Sequence, residues 1–573
     1  MSFHPYINRT GFLALVAVFL LGVQHEGFAA TTSADRASAD PSLIERSLEP
    51  ELRPESELGG DFIKIQEDKA PADADQIEFD LEDIIFEGDG DVIPEEDLEQ
   101  FYESDLGERV TLGRIYEIAN AITRYYRDQG YVLSRARVPA QEIEDGAVRI
   151  RIVEGFVDKI TYDADIDPGL KAQVEEFANN ILEERPLNMN TLERYLLLIK
   201  GLPGIKVESV LKPSKSEFGA ADLLLIVKET SVDGSVGVNN DGPQFMGPWQ
   251  GLANLNVNSV LGINEQLSLS ASATRETREQ RYFGAKYTQF LGSDGFKAYI
   301  SGASSTTKPG DFLEQFEMKG TNHSLAFGVD YPMVRTRSES LYLGARFTFR
   351  NVKSSILSDA VVRKDRVRVL GGNITYDVAD SWRGSNLLHV DVSQGFKIFG
   401  ASEENNSGVL KSRDKGRTNF TKFKGTLSRN QGLWWGFSLY GSVNGQYSGD
   451  HLLSSERFSF GGAPVNRAYP LGTLTGDSGV EEKVEFRFTE MFDHSIRMYQ
   501  FYLFYSAGTI WNRAPSSDEF RRISAAGGGG GLRMNFWEVT SFNIEYAMPF
   551  RAHISGRTNP FKPGIFFNLT QKF

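Results

Sequence analysis

Residues 341–349 read LYLGARFTF, and this stretch decides the fold. Its apolar residues, Leu341 to Phe349 at every second position, alternate with Tyr, Gly, Arg and Thr. A period of two places the apolar side chains on one face of a β-strand. The same alternation recurs at 267–273 (LSLSASA), 325–331 (LAFGVDY) and 542–548 (FNIEYAM). The pattern therefore predicts a long series of strands that each have one apolar face.

The tract that contains these strands, residues 231–573, predicts a transmembrane β-barrel. Gly, Asn, Asp and Ser separate its alternating segments, and no helical stretch interrupts it. A soluble β-sandwich would alternate in the same way, but aromatic residues cluster at segment ends, as in Trp434-Trp435. The tract closes on the alternating segment 565–573 (IFFNLTQKF). In lipid an open sheet edge leaves backbone groups unpaired, so we expect the strands to close.

Two small α+β units are predicted before the barrel, at residues 77–155 and 156–230. In the first, we expect a strand at 79–86, a helix with Ile115, Ile118, Ala119, Ile122 and Tyr126 on one face, and strands at 131–138 and 148–153. In the second, we expect strands at 157–162, 205–211 and 221–228, with two helices between the first two strands. The similar order indicates a repeat of about 75 residues.

The N-terminus has the pattern of a secretory signal peptide, residues 1–29. Arg9 precedes an apolar run at 11–23 (GFLALVAVFLLGV), and small residues surround Ala29. The run is too short for a membrane-spanning helix, which needs about 20 residues. Residues 30–76 then form an acidic linker, which contains a short helical pattern at 43–48.

Composition excludes several classes of function. The 573-residue chain has a net charge of -16, so nucleic acid is a poor partner. It contains no cysteine and only 7 histidines, and no zinc-binding His pair is apparent. His323, His389, His451 and His494 lie near no nucleophile motif, and there is no phosphate-binding loop. The glycine run 527–531 is expected in a barrel turn or strand. We predict no enzyme, no catalytic residue, no metal and no cofactor.

A resemblance to a known family begins in the first α+β unit. Its sequence resembles the first POTRA domain of the two-partner secretion translocators (TpsB, the haemolysin secretion/activation family) at 111–112 (TL), 121–125 (AITRY), 130–135 (GYVLSR), 138–141 (VPAQ), 145–146 (DG) and 153–155 (VEG). The second unit resembles their second POTRA domain. Residues 254–268 resemble their opening barrel hairpin, and 461–469 (GGAPVNRAY) resemble the motif of their long sixth extracellular loop. Residues 476–479 (GDSG) resemble the start of the strand that follows this loop.

The resemblance implies a mainly β protein: two periplasmic POTRA domains followed by a 16-stranded antiparallel barrel in the bacterial outer membrane. It implies export of one large secreted exoprotein, bound unfolded by the POTRA domains and moved to the cell surface without ATP. The outer-membrane lipid is the other partner, and a monomer is expected to be functional. By the same resemblance, the acidic linker 30–76 is expected to form a plug helix inside the pore. An assembly factor of the same superfamily is the alternative, although such relatives usually carry more POTRA units. A porin or surface receptor would not need the two units.

The resemblance also implies a transport motif in the loop, namely Gly461, Gly462, Arg467 and Tyr469. In the family, the arginine contacts an Asp on the inner barrel wall, and a planar guanidinium suits such a pinned contact. In this sequence, Ala468 stands where the family has a glycine after the arginine, and Ser506 stands where the family's Phe-x-Asp strand motif has its aspartate. The charge-assisted bond is therefore lost or moved, and Glu485 and Glu545 are the candidate partners. Each of them could equally be ordinary lumen lining.

Overall fold

The computed structural model describes most of the chain. It covers residues 40–49, 51–57, 69–88, 90, 92–163, 168–215, 219–357, 359–402, 410–463, 465–513, 515, 519–537, 539–551 and 561–573, without the side chains of residues 244 and 312. The predicted signal peptide and part of the acidic linker lie outside these residues. Among the described residues, no helix is long and apolar enough to cross a membrane.

The first α+β unit packs helix α3 against a small sheet. Its elements are β1 (Glu78–Asp80), β2 (Asp83–Gly88), α2 (Glu95–Glu99), β3 (Arg109–Thr111), α3 (Leu112–Asp128), β4 (Arg135–Arg137) and β5 (Ala147–Val153), preceded in the chain by helix α1 (Pro41–Ser47). The Thr111 side chain caps α3 by accepting the Arg114 N–H, and Gly130 follows the helix with a φ of 93°. The five predicted apolar positions of α3 are all buried.

Two predicted strands of this unit are shorter than expected. The chain at 79–86 breaks at Leu81, whose buried side chain separates β1, paired with β3, from β2, paired with β5. The predicted strand at 131–138 is reduced to β4, because residues 131–133 form a turn after α3. Alternation within a short window does not show which neighbouring strand a segment pairs with.

The second α+β unit repeats the sheet order of the first. It contains β6 (Val157–Tyr162), α4 (Pro168–Glu183), α5 (Met189–Lys200), β7 (Ile205–Pro213) and β8 (Ala221–Glu229). The described strands order as β6-β8-β7, with β6 parallel to β8, as β2-β5-β4 has β2 parallel to β5. Val174, Phe177 and Ile181 of α4 are fully buried in its core.

Within the described residues, sixteen antiparallel strands close into a barrel, as predicted. The strands are β9 (Val232–Asn239), β10 (Gln250–Asn258), β11 (Glu265–Thr274), β12 (Gln280–Leu291), β13 (Phe296–Thr307), β14 (Lys319–Arg335), β15 (Glu339–Ile356), β16 (Val361–Asp380), β17 (Gly384–Gly395), β18 (Thr421–Gly432), β19 (Phe437–Ser448), β22 (Ser478–Met491), β23 (Ile496–Trp511), β24 (Arg522–Phe536), β25 (Thr540–Pro549) and β26 (Gly564–Lys572). Strands β20 (Phe458–Phe460) and β21 (Leu474–Gly476) form a separate hairpin in the β19–β22 loop. The tract 254–268 joins the second and third strands, so its prediction as the opening hairpin was wrong, because β9 precedes it.

The alternation of the sequence separates the two faces of the barrel. Outward apolar side chains such as Leu343, Phe327 and Leu569 remain exposed, which suits a lipid-facing surface. Inward positions between them carry buried polar side chains, including Asp365, Asp391 and Lys422. The barrel closes where β26 pairs with β9, from Asn568 opposite Asn239 to Lys572 opposite Ser235.

The second α+β unit sits against the turns at one end of the barrel, which we call the near end. Arg194 of α5 donates to the carbonyl oxygens of Pro332 (3.0 Å) and Asp294 (3.2 Å), and the Tyr195 hydroxyl donates to Asp294. Burial raises the pKa of Tyr195, and the Asp294 charge adds to that shift. The opposite end, which carries the β19–β22 loop, is the far end.

Candidate functional site

The β19–β22 loop folds back into the barrel and packs on its inner wall. Phe460 of the β20–β21 hairpin is fully buried and lies over Gly508 of β23, where an added Cβ would be 2.4 Å from the phenylalanine ring. Phe458 covers Gly479 of β22 in the same way. Glycines on the inward face of the wall therefore make the space that the hairpin occupies.

The loop motif is a tight turn that requires its two glycines. Gly461 and Gly462 have φ values of 104° and 87°, a region that side chains other than glycine rarely adopt. The Gly462 N–H donates to the carbonyl oxygens of Tyr469 (2.7 Å) and Asn466 (3.0 Å). A Cβ on Gly461 would meet the Pro470 carbonyl oxygen at 2.5 Å. This turn presents Arg467 and Tyr469 toward the wall.

Arg467 is held by two carboxylates from different parts of the barrel. Its Nε donates to Oδ1 of Asp241 at 2.9 Å, and its Nη1 donates to Oε2 of Glu545 at 3.1 Å. Only 14% of the arginine side chain is exposed. The Tyr502 hydroxyl also donates to Glu545, at 2.8 Å. Charge-assisted bonds between buried partners are strong, so this contact fixes the loop tip against the wall.

The three candidate wall partners have different surroundings. Of the two predicted carboxylate partners, Glu485 and Glu545, it is Glu545 that contacts Arg467. Glu485 instead binds Arg533, Arg487 and Lys483, at 2.6–2.9 Å. Ser506 is fully buried, and its hydroxyl has no hydrogen-bond partner in the described part of the chain. In this chain, Arg467 therefore pairs with Asp241 and Glu545.

Asp241 is a site residue that sequence reasoning missed. It lies in the loop between β9 and β10, far from Arg467 in sequence. No motif or periodicity marks it, because a loop carboxylate without a patterned neighbour has the appearance of a solvated residue. Only the closure of the barrel brings the first far-end loop beside the β19–β22 loop.

Tyr469 anchors the other side of the motif. Its side chain is fully buried, and its hydroxyl donates to the carbonyl oxygens of Ala526 (2.9 Å) and Arg551 (3.1 Å). The glycine run 527–531 follows Ala526 inside β24 and is part of a strand, as expected. Gly527 lies against Ala468, with 3.0 Å between an added Cβ and the alanine Cβ. The absence of a side chain at Gly527 therefore leaves space for the loop beside β24.

Buried ion pairs hold the rest of the loop. Glu456 accepts from Lys422 Nζ at 2.5 Å and from Arg350 at 2.9 Å, and it is 3% exposed. Asp477, at the start of β22, accepts from Arg413 of the β17–β18 loop at 2.6 Å. The loop is therefore tied by charge to the wall and to a second far-end loop.

Helix α1 lies inside the barrel beside this loop. Asp40 caps its N-terminus by accepting the Ser42 N–H at 2.9 Å, and Pro41 occupies the first turn. Glu45 accepts from Asn322 (2.9 Å) and Ser324 (2.6 Å) of β14, and Arg46 donates to the Arg457 carbonyl oxygen of the loop at 2.7 Å. The helix therefore contacts both the wall and the inserted loop.

The chain matches a known family over more than half of its length. Residues 222–534 match the haemolysin secretion/activation proteins ShlB/FhaC/HecB, and residues 79–155 match the ShlB-type POTRA domain. The chain belongs to this family. It is therefore an outer-membrane transporter of two-partner secretion, and its POTRA region lies in the periplasm. The near end of the barrel is the periplasmic end, and the far end is extracellular.

Relatives and solved structures agree with this membership. The chain is 23% identical over 531 residues to the heme/hemopexin transporter protein HuxB of Haemophilus influenzae (strain 86-028NP), covering 91% of this chain and 92% of that protein. It is 23% identical to the hemolysin transporter protein ShlB of Serratia marcescens, over 64% of each chain. The CdiB structure from Escherichia coli has the same fold, with a TM-score of 0.70 at 18% identity, over 93% of this chain and 95% of that one.

Proposed function

We propose that this transporter exports one large exoprotein, taken unfolded from the periplasm and moved through the barrel to the cell surface without ATP. The observation that carries the proposal is the occupied lumen. Helix α1 and the β20–β21 hairpin lie inside it. Hydrogen bonds and ion pairs hold both elements to the wall, and the buried rings of Phe458 and Phe460 add an apolar contact for the hairpin. Water or a passing polar chain can replace the polar part of these contacts.

Arg467 is the residue that we propose to hold the closed state. Its two carboxylate partners lie on different elements, Asp241 in a loop and Glu545 on β25, so one side chain fixes the loop to both. Gly461, Gly462 and Tyr469 would act by shaping and anchoring the same turn. We propose ordinary structural roles for Ser506 and Glu485, since neither has a hydrogen bond or ion pair to the motif.

The periplasmic region is proposed to receive the exoprotein. Strands β4 and β7 are each at the edge of their described sheets. An extended chain can add to such an edge through backbone hydrogen bonds without strict demands on its sequence. Strand β7 is nine residues long and mostly exposed. We propose that its free edge is the longer of the two edges that bind the exoprotein.

The proposed domain order follows from this scheme. It comprises a signal peptide at 1–29, a linker with a plug helix at 30–76, POTRA domains at 77–155 and 156–230, and the barrel at 231–573. The plug role falls to α1, whose contacts span wall and loop. We propose that a monomer suffices and that the chain catalyses no reaction. The relatives are named for different cargoes, heme/hemopexin and hemolysin, so we propose the cargo only as a secreted protein.

The test compares the secreted and outer-membrane proteomes of cells with and without this gene. We expect one large protein to disappear from the medium or cell surface, with the other outer-membrane barrels unchanged. Complementation with the wild-type gene should restore it, and an Arg497→Ala variant, which alters a half-exposed arginine at the periplasmic start of β23, should restore it equally. General depletion of barrels would indicate an assembly factor instead, and no change in either fraction would favour a porin or receptor.

A further inference from the structure

The linker segment 51–57 follows the inner wall of the barrel toward the periplasmic end. It has no regular secondary structure, and its contacts at residues 55–57 are made by the backbone, whereas the Glu51 side chain accepts from the Tyr440 hydroxyl of β19 at 3.3 Å. The N–H groups of Glu55 and Ser56 donate to Oδ2 of Asp377 on β16, at 2.7 and 3.2 Å. The N–H of Glu57 donates to the Arg337 carbonyl oxygen in the β14–β15 turn, at 3.0 Å. Three consecutive amide groups are thus held by the wall.

Most side chains of the segment do not take part in this contact. Leu52, Arg53, Glu55 and Glu57 are exposed, and Ser56 is the buried exception. The wall therefore binds the peptide backbone at 55–57 and leaves the side chains in the lumen. A site of this kind accepts an extended chain of almost any sequence, because every residue except proline supplies the same N–H donor.

Asp377 differs from most of the buried carboxylates of the lumen, and it shares its lack of a salt bridge among the described residues with Asp365, which accepts the Ser412 N–H. Asp391, Glu456 and Glu485 each form an ion pair with an arginine or lysine, whereas Asp377 has no salt bridge among the described residues. Its side chain is 7% exposed, and its Oδ1 atom has no hydrogen-bond partner in the same part of the chain. A buried carboxylate without a cation requires other donors, and the backbone N–H groups supply them.

We infer that Asp377 and the Arg337 carbonyl form a binding site for an extended polypeptide backbone. The linker occupies this site at rest, and the unfolded exoprotein replaces it during export. The inference rests on the proposed export function and identifies where the partner first binds inside the barrel. The position is suitable, because Arg337 lies at the periplasmic rim, where its N–H also donates to Glu193 of α5 in the second POTRA unit.

The test is competitive photo-crosslinking in the full-length protein in lipid nanodiscs. The photoreactive residue p-benzoyl-phenylalanine replaces Ser340, which pairs with Asp377 and is 2% exposed. A control protein carries it at Gln500, an inward position on β23 near the same end. The probe is an uncharged peptide of Gly, Ser and Thr, about 12 residues long, which spans about 40 Å when extended.

Without peptide, we expect the Ser340 probe to crosslink to residues 51–57 of the same chain. Added peptide should reduce that product and form its own, at a yield about tenfold above the Gln500 control. Asp377→Asn should lower the peptide yield by about tenfold, because a charge-assisted acceptor is lost, and Asp377→Glu should restore it. Asp391→Asn, which alters a wall carboxylate paired with Arg346, should leave the yield unchanged.

Equal peptide yields at both probe positions would overturn the inference, as would a normal peptide yield in Asp377→Asn. Loss of the linker crosslink alone in that variant would show that Asp377 only anchors the linker. Peptide binding is measured without export, so the two proposals can fail separately. A protein that binds the peptide at Ser340 but exports nothing in cells would support this site and count against the export function.

Discussion

Arg467 and Asp241 join the sixth and first extracellular loops through a 2.9 Å bond between Nε and Oδ1. The first loop follows the strand that closes the barrel against β26. The pair therefore links the inserted loop to the closing seam, and Glu545 two strands away on β25 completes the clamp. Release of one arginine would free the loop from both sides of the seam.

Replacement of Arg467 by alanine should release the β19–β22 loop from the wall and lower export, because the loop tip then has no fixed position in the barrel. The change leaves Asp241 and Glu545 as buried carboxylates without a cation, and breaking a buried pair in this way costs about 3–5 kcal/mol. Arg467→Lys keeps the charge but loses the planar fork, so we expect intermediate export. The measurements are secreted exoprotein and protease cleavage of the β19–β22 loop in whole cells. Wild-type cleavage rates in Arg467→Ala would show that the clamp does not hold the loop.

Ser506 should tolerate alanine but not aspartate. Its buried hydroxyl has no partner in the described structure, so Ser506→Ala should change stability by less than about 1 kcal/mol. Ser506→Asp buries a second carboxylate opposite Lys483, which already pairs with Glu485, and should lower the thermal unfolding temperature. Improved export by Ser506→Asp in the wild-type background would contradict this reasoning.

Much of this fold could be predicted, because alternation records which strand face meets lipid. The helix α3 and the strands β5, β6 and β8 also follow from local apolar spacing, as Ile118 and Val148 illustrate. The division of 79–86 into two strands could not be predicted, because it depends on pairing with two different strands: β1 pairs with β3, and β2 pairs with β5. Glu545 was identifiable as a polar-face residue, but Asp241 depends on contact between distant loops. Pairing across 226 positions leaves no local periodicity.

Enlarging Gly508 should expel the inserted hairpin. Gly508→Val places atoms where the Phe460 ring lies, and the β23 backbone cannot move without breaking its pairing with β22 and β24. Overpacking of this kind typically costs about 1–3 kcal/mol. We expect larger and more frequent channel openings in planar lipid bilayers. Gly441→Val is the matched control, since nothing lies within 4 Å of an added Cβ on that barrel glycine. Equal conductance in the two variants would exclude the hairpin as the obstruction.

Glu456 should be the most sensitive acidic residue of the loop base. Its carboxylate pairs with Lys422 at 2.5 Å and with Arg350 at 2.9 Å, and neither cation side chain is more than 14% exposed. Glu456→Gln keeps the shape but leaves the buried Lys422 without a counter-charge and Arg350 with only the more distant Glu45, a loss of about 3–5 kcal/mol. Because Arg350 also lies 3.8 Å from Glu45 of α1, the change should draw the helix more tightly to the wall while loosening the loop. Hydrogen exchange should therefore rise in residues 449–477 and fall in α1, whereas Glu490→Gln, at an exposed position, should alter neither. Parallel increases in both segments would show that the helix and the loop are released as one unit.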